Sequence, residues 1–178
     1  MTNAELAVLS LVAEQPRHGY EIEQVIEQRG MREWTEVGFS SIYYLLKKLE
    51  REELIEGRLE ETGRGPARKV YHTTAAGEEA LRAGVLQALS VPQHGYPPLQ
   101  LGLACWPALP LTQGVAALRQ YRAVLAERLT SLQSKRHDQS PLPDFVDAMF
   151  EHSIALLQTE LAWADQFIAR MEERDEQA

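Results

Sequence analysis

A helical pattern running straight into a hairpin pattern, over residues 39–73, limits this chain more than anything else in it. The first half, FSSIYYLLKKLEREELI, places Ile42, Leu45, Leu46 and Leu49 at i, i+3, i+4 and i+7. That is the spacing of a helix face that packs on a core. At about 100° per residue, Ser40, Tyr44, Lys47 and Arg51 fall on the opposite side, with Tyr43 and Lys48 flanking. Hydroxyls, tyrosines and lysines on an outward face suit a groove lined with phosphates and base edges. Ser40 and Ser41 can cap the free N–H groups at the helix start, an end that also attracts anions. A solvated outer face explains the same residues more simply, and the segments that follow decide between the two.

Those segments are short and β-prone: residues 54–59 (LIEGRL) and residues 69–73 (KVYHT) flank a turn-rich connector, EETGRGPAR. The pattern is a hairpin with a protruding tip, in which Gly63, Arg64 and Gly65 make the turn. Upstream, Asn3 is a cap for a first helix to about Glu14, with Leu6, Leu9, Val12 and Ala13 inward. After a break at residues 15–19, a second helix runs to about Arg29, burying Ile22, Val25 and Ile26 before Gly30 ends it. Trp34 reads as a hydrophobic plug in the linker. Three helices followed by a two-stranded hairpin make a winged helix-turn-helix, whose third helix enters the major groove. The wing's Arg64, Arg68 and Lys69 then reach the flanking backbone or minor groove.

Net charge is −8, which by itself argues against nucleic acid. The distribution matters more than the sum. Residues 39–48 hold Lys47 and Lys48 and no acid, and residues 63–72 hold Arg64, Arg68 and Lys69 and no acid. Two basic patches on an acidic protein predict few phosphate contacts and a modest salt dependence. No apolar run approaches the ~20 residues of a membrane span, and the N-terminus lacks the basic region of a signal peptide. The single Cys105 excludes an internal disulfide, suits a reducing cytoplasm, and is expected to be buried and inert. The five histidines show no ligand spacing, so no metal or cofactor is expected. Asp144 and Asp147 read as helix-start acids, not an acid/base pair, and no nucleophile–base arrangement stands out. An enzyme is not expected.

From Thr74 a fourth helix is expected to turn Leu81, Val85, Leu86 and Leu89 inward. Residues 91–110 contain five prolines and leave room for one short helical piece, about residues 99–106. Two long helices follow. Leu111, Val115, Leu118, Leu125, Leu129 and Leu132 keep 4-3 spacing with Arg122 as the polar interruption. After a break at residues 138–143, the last helix reaches about Arg174 with an apolar stripe wider than one partner helix needs. A second copy of the chain is the economical cover for it. Expected contacts are Leu118, Leu125, Phe150, Leu157, Leu161 and Trp163. Trp106, Trp163 and Phe167 are candidates for an effector pocket, with a plain packed core as the alternative.

His18-Gly19-Tyr20-Glu21-Ile22, Ser41-Ile42-Tyr43, Leu49-Glu50, Leu54-Ile55, and Tyr71 with Thr73 and Gly77 together resemble the PadR family of bacterial transcriptional regulators. Glu160-Leu161-Ala162-Trp163 is similar to the closing helix of members with a long, virulence-activator-type C-terminal domain. The resemblance implies winged-helix dimers that mostly repress transcription, some releasing DNA on binding a small aromatic or hydrophobic compound. It also implies that Tyr20 and the start of the Ser40 helix touch phosphate, while Tyr43, Tyr44 and Lys47 face the groove. Glu53 stands where the family often has glycine, and Glu60 and Glu61 make the wing acidic.

The sequence therefore predicts a mainly α fold with a small β-hairpin wing. A winged helix-turn-helix spans residues 1–90, a proline-rich connector residues 91–110, and a C-terminal helical dimerisation and effector domain residues 111–178. The expected function is that of a cytoplasmic homodimer on an inverted-repeat operator in double-stranded DNA, most simply a repressor, with a small-molecule effector and no membrane. A winged helix used as a protein-interaction module, or an activator, are the alternatives.

Overall fold

A computed structural model describes residues 1–33, 35, 41–60, 67–92, 95 and 97–176. Trp34, Ser40, Arg64 and the rest of the expected wing turn lie outside the described residues. The chain divides into two compact units, Met1–His94 and Gly95–Ala178.

The first unit is built from α1 (Asn3–Glu14), β1 (Arg17–His18), α2 (Gly19–Gln28), α3 (Ile42–Arg51), β2 (Ile55–Glu60), β3 (Arg68–Thr73) and α4 (Ala75–Ser90). In its core Val8, Leu9, Leu11 and Val12 meet Ile22, Ile26, Ile42, Leu46 and Leu49. Val8 and Leu11 join the expected Leu9 and Val12, whereas Ala13, expected inward, is exposed. The helix-start signal sits one residue earlier than expected. Thr2, not Asn3, is the N-cap, in a reciprocal capping box with Glu5.

The break after α1 has more structure than a turn. Arg17 and His18 form a short strand paired antiparallel to β3, opposite Tyr71 and Val70, so the sheet has three strands in the order β1-β3-β2. Buried Arg17 donates to the carbonyl of Leu11, one of the α1 carbonyls that no helical bond uses. Glu14 then accepts from Arg29 at 2.7 and 2.9 Å and from Arg17 at 3.2 Å. The Arg29 guanidinium foremost holds the Glu14 carboxyl below the usual carboxylate range, against the opposing effect of burial.

The end of α3 explains a departure noted in the sequence. Glu53 N–H donates to the Glu50 carbonyl and Leu54 N–H to the Leu49 carbonyl, the two bonds of a Schellman turn. The residue after the cap in such a turn is left-handed, and Glu53 has φ 59°. A side chain there is strained where glycine is not. Glu53→Gly is therefore expected to raise stability by about 1 kcal/mol, read as a higher urea midpoint with unchanged slope.

α4 starts on Thr74, whose hydroxyl accepts from Gly77 N–H at 3.0 Å. Only its first half packs as expected. Leu81 lies against the core, but Val85, Leu86 and Leu89 are exposed, Leu89 at 82%. The period is right and the described residues of this unit supply nothing for that stretch to face.

The second unit contains α5 (Pro98–Ala104), a 3-10 turn at Trp106–Ala108, α6 (Leu111–Asp138) and α7 (Asp144–Glu176). α6 and α7 form an antiparallel hairpin, tied by Arg119–Glu172, Arg122–Asp165 and Arg136–Asp147. Arg122, the interruption in the apolar seam, thus meets an acid on α7. Leu118 and Leu125 are buried within this single-chain hairpin, with Val115, Ala164 and Ile168. Burial, with the Glu160 carboxylate it donates to, pushes the Tyr121 hydroxyl up to about 12. Cys105 is exposed, contrary to expectation. Among the described residues no helix is long and apolar enough to cross a membrane, and no cluster of histidine, cysteine and acids is arranged to hold a metal.

Candidate nucleic-acid interface

α3 carries its two messages on opposite sides. Ile42, Leu45, Leu46 and Leu49 are buried, while Tyr43 and Tyr44 are 53% and 65% exposed. Lys47 is exposed beside them and makes no ion pair with any described residue. Ser41 takes the N-cap position with helical backbone angles, φ −86° and ψ −23°.

Two lysines expected on this surface have prior engagements. Lys48 turns toward α1 and donates to Glu5, a buried acid that also accepts from Thr2 N–H. Burial pushes the Glu5 carboxyl up, yet Lys48, Thr2 and the nearby positive charges outweigh it and leave it below the ordinary carboxylate range. Lys48 is thus a brace between α1 and α3. Lys69 lies across Gly57 to reach Glu50 at 2.7 Å, and Glu50 also accepts from Gly57 N–H at 3.2 Å. That carboxylate raises the Lys69 ammonium above its usual value. The Glu50 node fastens the hairpin to α3.

β1, the start of α2, α3 and β3 meet around an open recess of about 400 Å³, lined by His18, Gly19, Tyr20, Tyr43, Arg68, Lys69 and Tyr71. His18 is the N-cap of α2: its Nδ1 accepts from Glu21 N–H at 3.2 Å, and Glu21 accepts in turn from His18 N–H. Gly19 is needed because Tyr43 passes close by; a Cβ there would stand 2.7 Å from Tyr43 Cε1. Tyr20 is 57% exposed and stacks on His18 at 6.3 Å between ring centroids. Arg68 is exposed on β3 with Nη1 3.2 Å from His18 Nε2. Of the expected residues, the fold therefore gathers Tyr20, Tyr43, Arg68 and Lys69 at one recess, with Tyr44 and Lys47 on α3.

Residues 8–83 match the transcriptional regulator PadR-like family. An uncharacterised protein of Lysinibacillus sphaericus is 32% identical over 74 residues, which are 42% of this chain and 67% of that protein. The chain belongs to the PadR-like family of transcriptional regulators. It is a regulator and not an enzyme. The fold extends the likeness beyond the matched residues. Bacillus subtilis PadR solved in complex with operator DNA superposes with a TM-score of 0.76 at 20% identity, over 94% of this chain and 98% of that one. The same protein solved with p-coumaric acid gives 0.76, 20%, 94% and 98%. A PadR-like regulator from Bacillus cereus gives 0.69 at 16% identity, over 96% and 99%.

Two residues that line this recess, His18 and Tyr71, are read in the sequence only as marks of the family resemblance and not as site residues. His18 caps a helix although histidine is not among the usual capping residues. Tyr71 enters the recess because β1, two residues long, pairs with β3 and closes that side. A two-residue strand leaves no periodicity to read.

The second unit's aromatic residues also come together. Trp106 meets Phe167 edge-on at 5.6 Å, and Trp163 stacks on Phe167 at 5.4 Å. Trp106 also covers Gly114, where a Cβ would lie 2.6 Å from its ring.

Proposed function

We propose that this PadR-like regulator is a cytoplasmic homodimer that binds an inverted-repeat operator in double-stranded DNA and represses transcription there. The observation that carries the reading is the outward face of α3. Tyr43, Tyr44 and Lys47 stand clear of a helix pinned from below by four buried aliphatic side chains. A rigid helix with exposed hydroxyls and an ammonium that pairs with no described residue suits the major groove. Ser41 begins that helix with Ser40 before it in sequence, Tyr20 anchors the backbone beside it, and Arg68 extends the contact along the flank. Arg64, in the turn between β2 and β3 in sequence, is assigned a contact on the same flank of the DNA. Lys48 and Lys69 hold the frame through Glu5 and Glu50.

Dimerisation is assigned to α7. At about 100° per residue, Phe145, Met149, Leu156 and Trp163 share one narrow sector. Phe150, Leu157, Leu161 and Ile168 share another, roughly a quarter-turn or more away. The second sector serves the hairpin with α6, and the first is left with Phe145 at 73%, Leu156 at 59% and Met149 at 41% exposure. Leu118 and Leu125 are used up inside one chain, so the partner meets the outer sector.

The effector is a small aromatic or hydrophobic ligand received by the Trp106–Phe167–Trp163 cluster. The ring geometry and the p-coumaric acid complex of Bacillus subtilis PadR support this.

Titration of duplex carrying the chain's own promoter at several salt concentrations tests the core of the reading. Lys47→Ala is expected to weaken binding and to lower the salt slope by about 1. Equal, negligible binding by wild type and variant would instead favour a winged helix used for protein interaction. A reporter assay separates repression from activation.

A further inference from the structure

The recess beside α3 gathers more donors than the described residues satisfy; the acceptor nearest them is Glu21 Oε1, 3.4 Å from His18 Nε2. Tyr71 is 93% buried by its 7% exposure, its ring set in the core and its edge lining the recess. Its hydroxyl has no hydrogen-bond partner among the described residues. His18 adds a second donor. Its Nδ1 is occupied as the acceptor for Glu21 N–H, so the neutral ring carries its proton on Nε2. That N–H faces Arg68 Nη1, another donor, at 3.2 Å. Two donors at that distance do not bond to each other; both are served by an oxygen placed beside them. Gly19 and Tyr20 bring the first turn of α2 to the same recess, and the leading N–H groups of a helix lack intrahelical partners.

Charge narrows the choice of ligand. Lys69 is neutralised by Glu50, and Glu21 Oε1 lies 3.4 Å from His18 Nε2. What remains is the charge of Arg68, set against the Glu21 carboxylate, with the partial charge of the helix end. That suits a singly charged phosphodiester better than a multiply charged free phosphate.

We infer that this recess seats one backbone phosphate of duplex DNA, with the Tyr71 hydroxyl, His18 Nε2–H and Arg68 as its donors. The inference rests on the DNA-binding reading above and adds to it a specific anchor, in which Tyr71 and His18 contact DNA. A phosphate held between α2 and β3 would fix the register of α3 in the groove.

Tyr71→Phe keeps the ring in the core and removes only the hydroxyl. On promoter duplex it is expected to bind about tenfold more weakly, the loss of one hydrogen bond to a charged group. The salt slope should not change, because a phenol neutralises no charge. Arg68→Gln, on the surface, should instead lower the slope by about 1. Replacing backbone phosphates singly by uncharged methylphosphonate should reveal one position at which Tyr71→Phe has no further effect. Wild-type affinity for Tyr71→Phe across the salt series, while Lys47→Ala still weakens binding, overturns the anchor and leaves the DNA reading standing. Wild-type protein that fails to bind duplex at all removes both. Calorimetric binding of inorganic phosphate that is lost in Tyr71→Phe, with duplex affinity unchanged, would mean a free-anion site and overturn the duplex assignment. If Tyr71→Phe does not fold, Arg68→Gln against the methylphosphonate scan decides: additivity at every position overturns the proposal.

Discussion

Replacing Phe145 and Leu156 together by glutamate is expected to leave the chain monomeric and to lower operator affinity by about 10²–10⁴-fold. Both side chains are exposed on α7, so the hairpin with α6 should persist and far-ultraviolet helicity should hold. In a twofold interface each substitution is made twice, and burying a leucine or phenylalanine contributes about 1.5–3 kcal/mol. Four unpaired carboxylates in place of that surface would hold the two copies apart. The affinity loss follows from geometry. A dimer that has bound one half-site presents its second reading helix at high effective concentration, and a monomer does not. Sedimentation analysis reads the first effect and promoter titration the second. A variant that remains dimeric with wild-type affinity would move the interface elsewhere, most directly to the exposed Val85, Leu86 and Leu89 of α4.

What could be read in advance, and what could not, follows from the range of the interactions involved. The α3 stripe, the strands of the hairpin and the two long C-terminal helices rest on periodicity within one element, which neighbouring residues carry by themselves. The roles of Lys47 and Lys48 do not. Lys47 lies on the outer face of α3 with Lys48 beside it, and only a buried acid on α1, Glu5, turns Lys48 away from that face. Lys69 is likewise settled by Glu50, from a different element. The short strand at Arg17–His18 exists because of its partner in β3, so nothing local announced it. Periodicity also reports which residues share a face without reporting what that face meets. That is why α4 has the expected stripe and leaves half of it exposed, and why α7 has two apolar sectors that read as one wide band. Glu53 is the opposite case: its departure from the family's glycine was visible, and the φ of 59° gives it a physical meaning.

Gly77→Ala is expected to destabilise the N-terminal unit by about 3 kcal/mol and to weaken promoter binding through the wing. Gly77 lies in the first turn of α4, where it is buried against the strand entry. A Cβ there would fall well inside contact distance of the Leu54 carbonyl oxygen and 3.0 Å from Thr73 Cγ2. The obstacle is backbone, and backbone cannot swing aside as a side-chain tip can. The Leu54 carbonyl is moreover committed, accepting from Thr74 N–H at 3.2 Å and from the Thr74 hydroxyl at 3.2 Å. Making room would therefore drive α4 away from the start of β2 and break the Thr74 cap on Gly77 N–H. Because β2 and β3 carry the wing, and Glu50 ties β2 to α3, the same shift misplaces Arg68 relative to the groove. Gly84→Ala supplies the contrast on the same helix. Its Cβ would meet Leu6 Cδ1 and Met1 Cε at 2.8 Å, both ends of flexible side chains. There the helix preference for alanine, up to about 1 kcal/mol, offsets a small repacking cost, and the urea midpoint should barely move. Comparable midpoints for the two variants would show that the joint between Leu54 and α4 yields more easily than a carbonyl contact permits.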